Sequence, residues 1–226
     1  MAGATCLHAA VSRPSLRTPD QVVLELLARR VRLLSFDQLG RIVAPDALDP
    51  ERAGKTWAER FERAGLVERF TVVARVPEPA RMLLRYTLGD NTPNFAALAR
   101  ELKARAQAVP AVTMQVVRLG FQGEKLFATT QPRLPRRSEA SHDLQLAEVA
   151  VHLEQQGQVV KWRSEDELLR AKAYQGVVPD AEVLLTSGES LVVECGGSYC
   201  KSKLSDFHAA VTPQLEARGA SGYCIV

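Results

Sequence analysis

The feature that most constrains the fold is the alternation of helical and β-prone runs in the second half of the chain. Apolar residues at helical spacing begin near Ser141 and stop at Gly157. Short β-prone runs and a second helical run follow. The predicted elements are a helix over residues 141–157, strands over 159–162, 177–185 and 191–194, a helix over 201–217 and a strand over 222–226. This α-β-β-β-α-β order predicts an α+β domain.

The first half shows a different pattern, with three amphipathic helices. The first is predicted over residues 19–30 from its apolar spacing. A capping box of Ser35 and Gln38 predicts the start of the second helix, because each side chain satisfies a backbone amide of the first turn. The third is predicted between Asp49, which caps it, and Gly65, which ends it.

Two β-prone runs, residues 66–75 and 82–88, follow the third helix around a proline-containing loop. Three helices and a hairpin are the order of a winged helix-turn-helix. In that fold the third helix enters the major groove of double-stranded DNA and the hairpin follows the phosphates. The candidates for these contacts are Lys55, Thr56, Arg60, Arg63, Arg69, Arg75, Arg81 and Arg85. The alternative is a solvated face, since glutamates are interleaved with these residues, and winged helices also bind proteins.

The middle of the chain connects these two patterns. A helix over residues 94–108 either bridges the halves, forms a homodimer or packs on the hairpin. Residues 112–130, punctuated by glycines, predict a second hairpin or a meander, and the basic, proline-containing stretch 131–140 predicts a domain boundary. We therefore expect a winged-helix domain at residues 18–90, a bridging helix, hairpin and linker at 91–138, and a second domain at 139–226.

Composition narrows the class of protein. The 226 residues include 29 basic and 26 acidic ones, a formal net charge of +3, and 46% are hydrophobic. This is ordinary globular usage, and the charge is too small to mark the whole chain as a nucleic-acid binder. No apolar run approaches the roughly 18 residues of a membrane span, so no membrane partner is expected. The 4 cysteines predict reduced thiols in a cytoplasmic protein.

Two carboxylates stand at the ends of predicted neighbouring strands. Pro179-Asp180 opens one strand and Glu194 closes the next. This arrangement resembles the PD-(D/E)XK restriction-endonuclease-like fold. Two carboxylates of this kind hold Mg²⁺ or Mn²⁺, which polarises a phosphodiester and helps to generate hydroxide. Asp180 and Glu194 are therefore the candidate metal ligands and catalytic residues of the second domain.

One position departs from that pattern. The lysine expected two residues after the second carboxylate is replaced by Gly196, a loss expected to cost a hydrolase about 10²- to 10³-fold. Lys201 or Lys203 could supply the charge from the following helix, and Glu148 could add a third carboxylate. The alternative is structural: both carboxylates cap turns or pair locally, and the glycine only permits a tight turn.

Together the two halves resemble the replication-relaxation family of bacterial plasmid- and mobile-element-associated proteins. The resemblance covers residues 20–211 and depends on the order and spacing of its stretches. It implies a winged helix joined to a nuclease-like domain and a role around DNA replication or transfer. The matching stretches are residues 33–39, 63–69, 86–89, 142–144, 178–180 and 193–194.

These patterns predict a DNA-binding protein of plasmid or mobile-element replication and maintenance with a degenerate nuclease-like domain. The first alternative is a metal-dependent DNA endonuclease that uses Asp180 and Glu194 with Mg²⁺ or Mn²⁺. A protein-binding scaffold is the third hypothesis. A further possibility is a zinc site, although the spacing matches no compact zinc motif. Its ligands would be Cys195, Cys200, His208 and Cys224.

Overall fold

A computed structural model of the protein describes residues 16–129 and 138–226. The chain is a mixed α+β protein with two sheets, as predicted. The helices are α1 (Thr18–Arg29), α2 (Phe36–Val43), α3 (Pro50–Arg63), α4 (Phe95–Ala108), α5 (Phe121–Phe127), α6 (Ala140–Gln155), α7 (Glu165–Arg170) and α8 (Lys201–Leu215). The strands are β1 (Leu34–Ser35), β2 (Val67–Arg75), β3 (Leu84–Thr87), β4 (Ala111–Leu119), β5 (Val159–Ser164), β6 (Ala181–Leu185), β7 (Ser190–Glu194) and β8 (Gly222–Ile225).

The first three helices begin as the sequence predicts. The Ser35 side chain accepts from the amide of Gln38, and the Gln38 side chain accepts from the amide of Ser35, so the capping box of α2 is complete. The Asp49 side chain caps α3. Helices α2 and α3 pack closely because glycines face the contact: a Cβ on Gly40 would lie 1.7 Å from the carbonyl oxygen of Pro50.

The first sheet has the order β1-β4-β2 and is antiparallel. Strands β2 and β4 pair over nine residues, from Val67 opposite Leu119 to Arg75 opposite Ala111. The predicted hairpin of residues 66–75 with 82–88 is therefore wrong. The second of those runs contains β3, which pairs with β8 in the other sheet. Residues 76–110 thus leave the first sheet, contribute β3 and α4 elsewhere, and return as β4.

The second sheet has the order β3-β8-β7-β6-β5. Strands β5, β6 and β7 are antiparallel neighbours, whereas β7 and β8 are parallel because α8 crosses between them. The helix α6 before β5 and the strands on either side of α8 reproduce the predicted α-β-β-β-α-β order. Two elements are additional: α7 between β5 and β6, and β3 at the edge beside β8.

The predicted second hairpin over residues 112–130 is also wrong. Only β4 is a strand, and α5 follows it directly. Gly123 is buried inside α5, where a Cβ would lie 2.5 Å from the carbonyl oxygen of Leu66. This glycine permits close packing rather than a turn. Most of the expected boundary, residues 131–137, lies outside the described residues.

Two large cores hold the molecule together. One joins α1 and α3 to α6 and to strands β5–β8, so it includes side chains from both halves of the chain. The other lies on the opposite side of the second sheet, where α4 packs against α8. In the described part of the chain, no helix has the length and apolar character of a membrane span.

Candidate functional site

The two predicted carboxylates meet at one end of the second sheet. Asp180 directly precedes β6 and Glu194 is the last residue of β7, and the register of Ala181 opposite Val193 makes the two acids neighbours. Glu194 Oε2 accepts from the backbone amide of Asp180 at 3.3 Å, and Asp180 Oδ2 accepts from the amide of Cys195 at 2.7 Å. Both carboxylates are buried. Each carboxylate is thus held by a backbone amide at or next to the other acidic residue.

His142, in the first turn of α6, provides the cation beside this pair. Its Nε2 lies 3.0 Å from Asp180 Oδ2, and its Nδ1 lies 3.6 Å from Asp143 Oδ1. Burial opposes a charged imidazole, but the charge of Asp180 and hydrogen bonds to both aspartates outweigh it and raise the pKa of His142 to about 11. The ring is therefore an imidazolium at neutral pH.

The pKa of Glu194 is also raised, but for a carboxyl group this favours the neutral form. Burial and the neighbouring charge of Asp180 raise its pKa to about 8, although Tyr199 donates a hydrogen bond to Oε1 at 2.8 Å. The neutral form of Glu194 is therefore favoured beside the positive charge of His142.

This arrangement does not fit Mg²⁺ or Mn²⁺. Within residues 16–129 and 138–226 there is no group of three or more His, Cys, Asp or Glu side chains placed to hold a metal ion. Three of the four carboxylate oxygens accept from His142, Tyr199 and two backbone amides. A divalent cation at Asp180 would also meet the positive charge of His142, whose Nε2 lies 3.0 Å from Asp180 Oδ2.

Neighbouring side chains fill the space beside Gly196, the position where a lysine was expected. A Cβ on Gly196 would lie 2.8 and 2.9 Å from the two methyl carbons of Leu102 and 3.0 Å from Ile225 Cγ2. Leu102 belongs to α4 and is almost fully buried. The space where a lysine side chain would begin is thus filled by the helix that the chain inserts between β3 and β4.

The other predicted catalytic residues, Lys201, Lys203 and Glu148, lie in three different places. Lys203 lines the cleft above the carboxylates, with its Nζ 3.5 Å from the centre of the Tyr199 ring. Lys201 is exposed and is not part of the cleft lining formed by the described residues. Glu148 is also displaced: its Oε1 accepts from Arg41 at 2.9 Å and its Oε2 from Gln38 at 3.1 Å. It anchors α6 to α2 and is not part of the carboxylate site.

The cleft itself has a volume of about 620 Å³. Arg75 and Lys203 line it with exposed side chains that form no ion pair with any described residue. Arg105 also lines it but is bound to Glu78 at 2.7 Å. The walls of the cleft therefore carry two positive charges that form no ion pair with described residues, although that of Lys203 lies over the Tyr199 ring.

The DNA-contact candidates also fall into two groups. Lys55, Thr56 and Arg63 are exposed on α3, together with Arg52, which the sequence analysis did not select. Arg60 is on the same helix, but it donates to the buried Asp20 at 2.8 Å. Its side chain remains 44% exposed, so Arg60 stays a candidate for DNA contact that is also tied to the fold.

The expected wing does not present one cationic edge. Arg69 on β2 is bound by Glu62 and Glu59, and Arg85 on β3 pairs with Glu189 in the second sheet. Arg81 lies in the loop before β3 with Glu101 at 3.9 Å. Arg75 reaches the cleft, and its backbone amide donates to Ser141. These arginines lie in different places because β3 does not pair with β2.

Sequence reasoning missed His142, Tyr199 and Arg32. His142 belongs to residues 142–144, one of the stretches that carry the family resemblance. The sequence pattern did not indicate a role for this histidine. Arg32 follows α1 and pairs with three carboxylates, at 3.3 Å to Asp143, 2.7 Å to Glu165 and 2.9 Å to Asp166. Nothing in the local sequence signals these partners, because they come from the other half of the chain.

The residues of the zinc hypothesis do not form a metal-binding group in the part of the chain that the structure describes. Cys195 and Cys224 are buried, whereas Cys200 is exposed. His208 Nδ1 lies 2.9 Å from the Tyr223 hydroxyl.

No family model, curated protein or solved structure matches this chain.

Proposed function

We propose that this protein binds double-stranded DNA through a winged-helix unit and carries a nuclease-like domain that does not cut. The observation that carries the proposal is the α2–α3 pair with its exposed Lys55, Thr56 and Arg63, backed by the three-stranded sheet. The winged-helix unit would consist of α1–α3 with β1, β2 and β4, and β3 would lie outside it. In such a unit the exposed side of α3 enters the major groove.

The second domain supports a binding role better than hydrolysis. Its α-β-β-β-α-β order favours a nuclease-like ancestry. In the site, however, His142 neutralises Asp180, and Leu102 fills the space beside Gly196. The free cations of the cleft, Arg75 and Lys203, suit a phosphate backbone without any chemistry.

The resemblance to the replication-relaxation family favours a setting for this binding. In that setting, the protein acts in the replication or maintenance of a plasmid or mobile element. A homodimer is compatible with this role, but no contact described above requires one.

Salt dependence of duplex binding tests the α3 interface. Replacing Lys55 and Arg63 with Ala should weaken binding and reduce the slope of log Kobs against log salt by about 1.8, since each lost phosphate contact contributes about 0.9. The matched control is Arg100→Ala with Lys103→Ala, which removes one exposed arginine and one exposed lysine from α4. Fluorescence anisotropy with a labelled duplex measures both. An equal fall in slope for both pairs, or none for the α3 pair, contradicts the proposed interface.

A cleavage assay separates the proposal from the endonuclease hypothesis. Purified protein is incubated with supercoiled plasmid and Mg²⁺ or Mn²⁺ beside an Asp180→Ala variant, and no Asp180-dependent cleavage is expected. Cleavage that disappears in Asp180→Ala and in Lys203→Ala would establish an endonuclease instead. Failure to bind any duplex even at low salt would leave the protein-binding scaffold as the better hypothesis.

A further inference from the structure

A line of four side chains runs along the side of α3 that faces away from the core. An α-helix turns about 100° per residue, so residues spaced by four, three and four positions point in nearly the same direction. The buried face of α3 consists of Gly54, Trp57, Ala58 and Phe61. Directly opposite that face lie Arg52, Thr56, Glu59 and Arg63. These four residues, the central line, are therefore the part of α3 that a partner meets first.

One cation lies on each flank of the central line. Lys55 is about 70° to one side and Arg60 about 70° to the other, and both side chains reach solvent. When a helix lies in the major groove, its flanks face the two phosphate backbones and the middle of its outer side faces the base edges. If α3 binds DNA as proposed, Lys55 and Arg60 are placed for phosphates. The middle of the central line, Thr56 and Glu59, is then placed for bases.

Glu59 is the acidic member of the central line, and its side chain is 39% exposed. Arg69 Nη1 lies 3.4 Å from its Oε1, although Glu62 holds Arg69 more closely, at 2.6 Å. The other oxygen, Oε2, forms no hydrogen bond or ion pair with any described residue. A carboxylate only accepts hydrogen bonds, and the phosphates of DNA repel it. A duplex therefore fits against Glu59 only where a base offers a donor.

The major groove offers a carboxylate two donors, the amino groups N4 of cytosine and N6 of adenine. The adenine amino group lies between two acceptors, its own N7 and O4 of the paired thymine. The cytosine amino group has an acceptor, O6 of the paired guanine, on one side only, so a carboxylate meets less repulsion there. We propose that Glu59 accepts a hydrogen bond from N4 of cytosine and makes duplex binding selective for a C·G pair at that position. This selectivity rests on the proposed duplex binding by α3.

Selection of bound sequences from a pool of random duplexes tests this role with the whole protein. The wild type should enrich a site with a preferred cytosine, and changing that C·G pair to T·A should weaken binding about tenfold. Glu59→Ala should lose this discrimination without weakening its binding to unselected duplex, because no phosphate contact is removed. Glu59→Gln should shift the preference towards adenine, since an amide bonds both N6 and N7.

Glu51→Gln is the matched control, because Glu51 is exposed on the same helix but points about 110° away from the central line. This variant should keep the base preference of the wild type. The same cytosine preference in both Glu59 variants would overturn the role of Glu59 while leaving duplex binding by α3 in place. Equal binding of all duplexes by the wild type would do the same. Failure of the wild type to bind any duplex at low salt would overturn the proposed function and the role of Glu59 together.

Discussion

Asp20 is a fully buried carboxylate in the first turn of α1 that accepts hydrogen bonds from three other residues. Trp57 donates to Oδ1 at 2.9 Å, Arg60 to the same oxygen at 2.8 Å, and the backbone amide of Arg17 to Oδ2 at 2.9 Å. Burial would raise the pKa of Asp20, but these bonds and the charge of Arg60 outweigh it and hold the pKa below its usual value. An arginine on the face expected to bind DNA thus also stabilises the fold.

Asp20→Asn should lower the free energy of unfolding by about 1–3 kcal/mol at neutral pH. Because the pKa is depressed in the folded state, the stabilisation by the carboxylate is present above the unfolded pKa, about 3.9, and is lost as pH falls through the folded value. Urea unfolding should therefore show a smaller difference from the wild type near pH ~3 than near pH ~7. The exposed Glu25→Gln is the control, with little effect at either pH. A difference that stays constant into acid would mean that the charge of Asp20 is not what stabilises.

Gly196 is a second residue whose close packing can be measured as a change in the free energy of unfolding. Its backbone is not in the left-handed region, so alanine meets only the crowding by Leu102 and Ile225. Gly196→Ala should cost about 1–3 kcal/mol in urea unfolding, as overpacked cores do. The cost should be smaller in a Leu102→Ala background, where the methyl groups are gone. An equal cost in both backgrounds would show that Leu102 does not close this position.

At the scale of elements, local signals predicted the helix starts and failed for strand pairing. The capping residues of α2 and α3 act within one turn, so a single stretch of sequence specifies them. The partner of β2 is β4, which follows only after β3 and α4, and no local pattern distinguishes it from the nearer β3 run. The same contrast holds in the site. Asp180 and Glu194 lie on consecutive strands and could be paired from sequence, whereas His142 comes from a distant helix.

The position of helix α8 depends on the apolar residues along one face of the helix. Leu204, Phe207 and Val211 are buried, as the sequence predicts, in the core that contains Val192 and Tyr223. None of the residues of β6 belongs to this core. The helix therefore covers the β7–β8 part of the sheet.

Phe207→Ala should reduce the free energy of unfolding by about 3–5 kcal/mol, the range for removing a buried phenyl ring. The ring lies edge-on to Tyr223, with centroids 5.3 Å apart, so the variant also loses an aromatic contact. The exposed Lys201→Ala in the same helix is the control and should change stability by less than about 0.5 kcal/mol. A loss well under 1 kcal/mol for Phe207→Ala would contradict the packing of α8 on the sheet.

At the scale of the molecule, the two halves share a core and several ion pairs. Buried side chains of α1 and α3 belong to the same apolar core as those of α6 and the second sheet. Arg30 pairs with Glu154 at 2.6 Å, and Arg32 reaches carboxylates on α6 and α7. The sequence predicts a domain at residues 18–90 and another at 139–226, and no local pattern in either indicates a shared core. The segment 76–110 adds a further connection, because it leaves the first sheet to complete the second.

A shared core predicts that the two halves unfold together. The chain has 2 tryptophans, one in each half, so Trp162→Phe leaves Trp57 on α3 as the reporter and Trp57→Phe leaves Trp162 on β5. In each single-tryptophan variant, urea unfolding followed by fluorescence should coincide with unfolding followed by far-ultraviolet circular dichroism, which reports on both halves. Trp57→Phe loses the hydrogen bond to Asp20, so the two variants differ in midpoint and the comparison is made within each protein. Fluorescence that changes before circular dichroism in one variant and after it in the other would mean that the halves unfold separately. The buried contacts between α1, α3 and α6 would then contribute too little to couple them.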